Sequence, residues 1–179
     1  MSSKPTSITR KVLNVETELV IQPFSDRIML LLTQVGKVGN LVRQDNFFAI
    51  LSIIQLDYAT QIQASIPPTA PLLPSTPSLD DVDDISAAQS LPTPPPSIQL
   101  ISVLGSAPTD RLQTLHSLYA SQAATLVWLT LEKRGAERKS VVVGIALKKQ
   151  DGDGWDEEME RARFREIMAE IKLLLAGWQ

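Results

Sequence analysis

A proline-rich middle segment divides this chain and limits what can fold on either side of it. Nine of the twelve prolines lie between Ile66 and Pro96. Proline has no amide hydrogen and fixes φ, so this density interrupts both helices and strand ladders. The acidic stretch Leu79–Asp84 lies inside the tract, and such a composition favours a solvated loop. The sequence therefore predicts two ordered blocks separated by a long disordered insert, residues 64–96.

The first block has the pattern of an antiparallel meander. Glu16–Gln22 is rich in β-branched residues, as is typical of a strand. Asp26–Gln34 is a short apolar run between turn signals, and its length favours a buried strand over a helix. Gly36 and Gly39 mark a turn, after which Asn40–Arg43 begins another strand.

The segment Asp45–Gln63 leaves several interpretations open. It is apolar and almost without charge, and it leads directly into the proline tract. It could extend a strand or form a short helix packed on the sheet. It could also be a lineage-specific insertion, or intron sequence translated from a wrong gene model.

The second block predicts one strand, a helix, a β-hairpin and a long C-terminal helix. Ile98–Val103 alternates as a strand does, and Thr109 or Asp110 then caps a helix. Thr125–Leu131 and Ser140–Leu147 are apolar and β-branched, and the polar link between them predicts a hairpin. Trp155–Ala176 repeats apolar residues every three to four positions, which is the pattern of an amphipathic helix. The fold class is therefore α+β, with an antiparallel sheet and two helices.

Composition gives no sign of an enzyme, a metal site or a nucleic-acid-binding surface. The net charge is −3 and cysteine is absent, which excludes thiolate chemistry and offers no basic surface for phosphates. The lone histidine, His116, lies among apolar helical neighbours and is expected to be packed. Gly36-Lys37-Val38-Gly39 lacks the spacing of a phosphate-binding loop, and Asp151–Asp156 has Trp155 where a calcium loop needs an oxygen ligand.

No segment of the sequence predicts a membrane span or a secretory signal. The longest apolar run, Phe47–Leu56, is about half the length that crosses a bilayer. Residues Met1–Arg10 are polar and lack the apolar core of a signal peptide. We therefore expect no contact with membranes and a cytoplasmic location, with the nucleus as a second compartment.

One motif resembles a known family. The segment Phe24–Val42 is similar to the strand–turn–strand signature of the proteasome assembly chaperone 3 family, in which an apolar strand ends in T-Q-x-G-K-x-G. The matching residues are Thr33, Gln34, Gly36, Lys37 and Gly39. The resemblance covers Ser7–Val42 and Ser97–Trp178, in the same order of elements, and omits the insert.

This resemblance implies a single domain over residues 1–179 that acts by binding other proteins. Its partners would be a subunit similar to proteasome assembly chaperone 4, in a heterodimer, and α-type subunits of the 20S proteasome core particle. Its function would be to promote correct α-ring formation, without catalysis or a cofactor, and the five motif residues would bind a partner. The alternative is a non-enzymatic adaptor whose proline-rich loop docks a domain that binds polyproline II helices.

Overall fold

Six strands and two helices make up the part of the chain that the structure, a computed structural model, describes: residues 4–34, 59–72, 91–105, 107–148 and 156–178. The elements in chain order are β1 (Thr6–Val12), β2 (Val15–Pro23), β3 (Arg27–Thr33), β4 (Thr60–Ser65), β5 (Gln99–Leu104), α1 (Asp110–Lys133), β6 (Ser140–Ala146) and α2 (Glu157–Gly177). The predicted α+β class is confirmed. In these ranges, no helix is both long enough and apolar enough to cross a bilayer.

The strands form one mixed sheet in the order β1-β2-β3-β6-β4-β5. Strands β2 and β3 form the antiparallel pair that the sequence predicts, and β1, which was not predicted, pairs antiparallel with β2. The predicted strand that begins at Asn40–Arg43 lies outside the described residues. The β1–β2 turn places Leu13 and Asn14 at φ 47° and 64°, the left-handed pair that a tight hairpin requires. The pairing of β3 with β6 is parallel, whereas β4 pairs antiparallel with both β6 and β5. The sheet as a whole is therefore not the purely antiparallel one that we expected.

Both helices pack on one face of the sheet and enclose the main core. Helix α1 lies against β4 and β6, and α2 lies against β1 and β2. Thr109 caps α1 through its hydroxyl, which accepts from Leu112 N, and Asp156 caps α2 by accepting from Met159 N. The core side chains alternate along each strand, as one buried sheet face demands. The most deeply buried large side chains include Trp128, Tyr119, Leu30, Ile62, Ile145 and Ile171.

The predicted strand Thr125–Leu131 is wrong, because these residues form the second half of α1. Their β-branched and aromatic content resembles a strand, but every residue from Tyr119 to Trp128 is buried. A helix buried all round loses the amphipathic period and cannot be told from a buried strand by pattern alone. The predicted hairpin with Ser140–Leu147 is therefore also wrong, and β6 pairs with β3 and β4 instead.

The two ends of the predicted insert are ordered among the residues that the structure describes. Ala64 and Ser65 belong to β4, so Thr60–Ser65 fits the strand alternative for the end of the apolar segment. Gln122 Nε2 donates to Pro92 O at 2.8 Å, and Arg138 Nη1 donates to Ala70 O at 2.6 Å. The prolines of this tract have no amide hydrogen to donate. The carbonyl oxygens of the tract still accept hydrogen bonds, and its apolar side chains pack against the main core. The centre of the insert, 73–90, lies outside the described residues, as do 45–58 of the apolar segment.

Candidate partner-binding site

The end of β3 carries the first two residues of the predicted partner-binding motif. Gln34 N donates to Ala146 O at 2.9 Å. The Gln34 side chain donates from Nε2 to Thr17 Oγ1 at 3.0 Å, and its Oε1 accepts from Lys148 N at 3.4 Å. One residue thus connects β2, β3 and the chain that leaves β6.

Thr33 and Gln34 are themselves buried within the chain. Their side chains therefore hold the base of the motif and do not offer a surface to a partner. Gly36, Lys37 and Gly39 lie outside the described residues, so their contact with a partner stays a prediction.

The edge strand β5 exposes an apolar row. Ile101 is 57% exposed and Val103 is 51% exposed. Leu100 packs against the main core, so strand alternation places Ile101 on the sheet face away from the helices. Val103 lies at an irregularity in the β4–β5 pairing and has no partner residue on β4. The strand carries no charged side chain, and charges are a usual protection of a free edge. The opposite edge strand, β1, has Arg10 and Lys11.

The sheet face away from the helices also carries an apolar cluster on β2 and β3. Val20, Met29 and Leu31 form a second buried cluster, with Phe24 packed against it. This cluster lies on β2 and β3, on the face away from the helices, because the alternate residues of both strands fill the main core.

Strands β6 and β4 separate this cluster from β5. Because Ile62 and Ala64 of β4 fill the main core, Gln61 and Gln63 lie on the face away from the helices, and the cluster and the exposed β5 residues are two separate apolar patches.

A buried polar network joins the two helices under the sheet. The Tyr119 hydroxyl donates to Glu160 Oε1 at 3.0 Å, and Arg163 Nε donates to the same oxygen at 3.2 Å. Arg163 also pairs with Glu160 Oε2 and donates to Lys148 O at 3.0 Å. Burial and the Glu160 charge raise the pKa of Tyr119, so the phenol stays protonated and acts as a donor. Such a network fixes the helix pair and does not activate a nucleophile.

His116 is packed, as the sequence predicts. Its Nδ1 lies 2.8 Å from Thr60 Oγ1 on β4. Both side chains are buried, His116 to 4% exposure, so the pair is closed to a substrate in this structure. Burial and the nearby Arg163 charge lower the pKa of His116, which keeps the imidazole neutral. Across the described ranges, no three His, Cys, Asp or Glu side chains come together as a metal site would require.

Sequence reasoning missed the exposed row and the buried ion pair for different reasons. The alternation of Ile98–Val103 predicts a strand, but its place at the sheet edge depends on pairing with distant β4. Glu160 and Arg163 do carry a sequence signal, because side chains three residues apart share a helix face. The pattern does not show that this face is turned into the core.

Comparison with protein-family models finds no match to the sequence. Comparison with curated proteins finds no match either. Among solved structures, the chain is similar to one in a structure described as a novel chaperone complex for yeast 20S proteasome assembly. The TM-score is 0.44 at 13% sequence identity, and the match covers 96% of this chain and 98% of that chain.

Proposed function

We propose that this protein is a chaperone for assembly of the 20S proteasome core particle. It acts without catalysis or a cofactor, in a heterodimer with a subunit similar to proteasome assembly chaperone 4. The dimer binds α-type subunits and promotes correct formation of the α-ring, in the cytoplasm and the nucleus. The similar solved chain belongs to a complex of this class, but the proposal rests on the motif and on the surface described above.

The observation that carries the proposal is the anchoring of the T-Q-x-G-K-x-G motif. Gln34 is held by hydrogen bonds to Thr17, Ala146 and Lys148. Gln34 therefore gives the motif a fixed base at the end of a central strand. A segment that starts from a fixed base loses less entropy when it binds, which favours recognition of a partner.

The exposed row on β5 is the second element, and we assign it to the heterodimer contact. Ile101 and Val103 present apolar side chains that water does not favour, beside a strand edge able to pair with another chain. Interfaces that persist are typically more apolar than the rest of a surface. A second chaperone subunit would cover this row, while the motif remains available to α-type subunits.

The proposal is tested by affinity purification of the tagged full chain from cells, followed by mass spectrometry. We expect α-type proteasome subunits together with one second small chaperone, and few β-type subunits. Depletion of the protein should slow α-ring formation, seen as free α-subunits on native gels. Recovery of neither α-type subunits nor a small chaperone would refute the proposal.

One variant distinguishes the proposed heterodimer contact on β5 from the proposed contact between the motif and α-type subunits. Ile101→Asp should abolish recovery of the small chaperone partner while circular dichroism shows a native fold, because the side chain is exposed. Thr9→Asp, on the exposed surface of the opposite edge strand β1, is the matched control and should keep both partners. Equal loss in the two variants would show that the β5 row is not the contact.

A further inference from the structure

The backbone of Lys148 connects the base of the motif with helix α2. The ladder between β3 and β6 ends at Thr33 and Ala146, so contacts outside the sheet place Lys148. Its amide nitrogen donates to Gln34 Oε1 at 3.4 Å. Its carbonyl oxygen accepts from Arg163 Nη1 at 3.0 Å. The motif and a buried guanidinium group of α2 therefore meet at one backbone residue.

The contact with Lys148 also decides how the Gln34 side chain is oriented. A backbone N–H can only donate, so the oxygen of the Gln34 amide must face Lys148. The nitrogen of that amide then donates to Thr17 Oγ1 at 3.0 Å, and the Thr17 hydroxyl donates to Val15 O at 3.1 Å. Each of these donors faces an acceptor, and the arrangement depends on the position of Lys148.

Arg163 can keep Lys148 in that position because it is itself fixed. It is 8% exposed, and it holds both oxygens of Glu160, from Nε at 3.2 Å and through the buried ion pair. A planar guanidinium group has enough donors to hold a carboxylate and to donate in another direction as well. The bond from Lys148 to Gln34 is long beside the usual range of about 2.7–3.2 Å, so a small shift of Lys148 would break it.

We propose that Arg163 is a positioning residue for partner binding by the motif. Because it is buried, it acts through Lys148 on Gln34. The inference rests on the proposed function, since it requires that the motif binds α-type proteasome subunits. A Gln34 side chain that is held before the partner arrives reduces the conformational entropy that binding costs. Coupling of this kind is reciprocal, so a bound α-type subunit would also hold α2 more firmly.

A role of Arg163 in stability alone predicts a different pattern. Arg163 and Tyr119 both donate to Glu160 Oε1, so loss of either donor weakens the contact between the helices. Of the two residues, Arg163 also donates to Lys148 O. If the network served stability alone, partner binding would fall with stability in both cases. Under the proposal it falls only when the Arg163 contact with Lys148 is lost.

The test compares Arg163→Lys with Tyr119→Phe in the tagged full chain. The lysine keeps a positive charge beside Glu160, but its single ammonium group does not reproduce the forked geometry that also reaches Lys148. We expect Arg163→Lys to recover about five- to tenfold less of the α-type subunits from cells, the effect of one charge-assisted hydrogen bond. Tyr119→Phe keeps the Arg163 contact and should recover as much as the wild type.

Two measurements separate positioning from stability. Urea unfolding of both variants shows whether recovery follows the free energy of unfolding. Nuclear magnetic resonance follows the Gln34 side-chain amide and the Lys148 backbone amide, whose signals should shift clearly more in Arg163→Lys than in Tyr119→Phe. If Arg163→Lys does not fold, the paired change Glu160→Gln with Arg163→Gln replaces it, because it removes the guanidinium group without leaving a buried charge unpaired.

A further variant tests the route of the coupling. Gln34→Met keeps a side chain of similar length but removes both of its amide bonds. It should reduce recovery of α-type subunits about as much as Arg163→Lys does, and the double variant should lose little more, because both changes act on one contact. Additive losses would show that Arg163 acts by another route and would overturn the inference.

The remaining outcomes separate this inference from the proposed function. Equal recovery of α-type subunits by Arg163→Lys and the wild type would overturn the inference alone. An equal loss in Tyr119→Phe, or unchanged signals of Gln34 and Lys148 in Arg163→Lys, would do the same. Failure of the wild type to recover any α-type subunit would instead refute the proposed function, and with it the inference.

Discussion

The Tyr119 hydroxyl on α1 donates a hydrogen bond of 3.0 Å to Glu160 Oε1 on α2. The same carboxylate pairs with Arg163, and all three side chains are buried. A buried charge is tolerated when both a counter-ion and hydrogen-bond donors satisfy it. This contact therefore sets how the two helices meet.

Tyr119→Phe should destabilise the protein by about 1–2 kcal/mol, because Glu160 loses a buried donor while the ring still packs. Urea unfolding, followed by circular dichroism, measures the change. Arg161→Gln is the control, since it removes an exposed ion pair with Glu157 and should cost less than about 0.5 kcal/mol. Equal losses in the two variants would contradict a special role of the buried network.

Gly105→Ala should strongly destabilise the protein although it adds only one methyl group. Gly105 has φ +71°, and an added Cβ would lie 2.2 Å from the backbone oxygen of Ala59. We expect the free energy of unfolding to fall by more than about 2 kcal/mol, because left-handed strain and the backbone clash act together.

Gly135→Ala is the matched control for Gly105→Ala. Gly135 has φ +64°, but no atom lies within 4 Å of the added Cβ. The free energy of unfolding of the control should fall by about 1 kcal/mol, because only the left-handed strain acts there. Thermal unfolding of both proteins compares the two, and similar melting temperatures would refute the expected clash.

His116 should make stability depend on pH. Its ordinary pKa of 6.5 is lowered in the folded state by burial and by Arg163. The unfolded chain therefore takes up a proton first as the pH falls, and uptake favours the unfolded state. The contribution of neutral His116 to the free energy of unfolding is fully present above pH 6.5. It is lost as the pH falls from there toward the lowered pKa of the folded state.

Urea unfolding at a series of pH values, between about 7.5 and 5.5, measures this loss. His116→Gln cannot titrate and can still hydrogen-bond Thr60. Its free energy of unfolding should fall less steeply over this range than that of the wild type. Parallel curves for the two proteins would show that other groups cause the pH dependence.

Trp128→Asp should prevent folding, because it places a carboxylate in the core without a counter-ion. Trp128 is fully buried, and its Nε1 donates to Lys139 O at 2.8 Å. Trp128→Phe keeps the apolar ring but removes this donor, and should cost about 1–3 kcal/mol. Near-ultraviolet circular dichroism and urea unfolding distinguish the two outcomes, and a native Trp128→Asp protein would contradict the placement.

Trp128 also shows where sequence reasoning succeeds and fails for this fold. Its burial could be predicted, because an apolar run without charges belongs in a core. Its secondary structure could not, since a helix buried on every side has lost the periodicity that identifies it. The parallel pairing of β3 with β6 was equally hidden, because it joins residues more than a hundred positions apart. The cap at Thr109 shows the reverse case, since such a local signal can be read directly from the sequence.

The candidate site was predictable only in its local part. The motif that begins at Thr33 is contiguous, so its residue types and spacing are visible in the sequence. The partners of Gln34 are not, because Thr17 and Lys148 reach it through the pairing of separate strands. The exposed residues of β5 and the buried ion pair between the helices likewise arise from packing between distant segments. They could be found only once the sheet order and the helix faces were known.

Lys37→Glu tests the motif that Gln34 anchors. If the motif binds α-type proteasome subunits as we propose, this charge reversal should weaken their recovery several-fold. It should leave the melting temperature within about 2 °C of wild type, since surface charges seldom contribute much to stability. Lys11→Glu, an equal charge reversal on exposed β1, controls for the change in net charge and should retain the subunits. If Lys37→Glu instead unfolds the protein, or binds α-type subunits as well as the control does, the motif is a structural turn and the partner contact lies elsewhere.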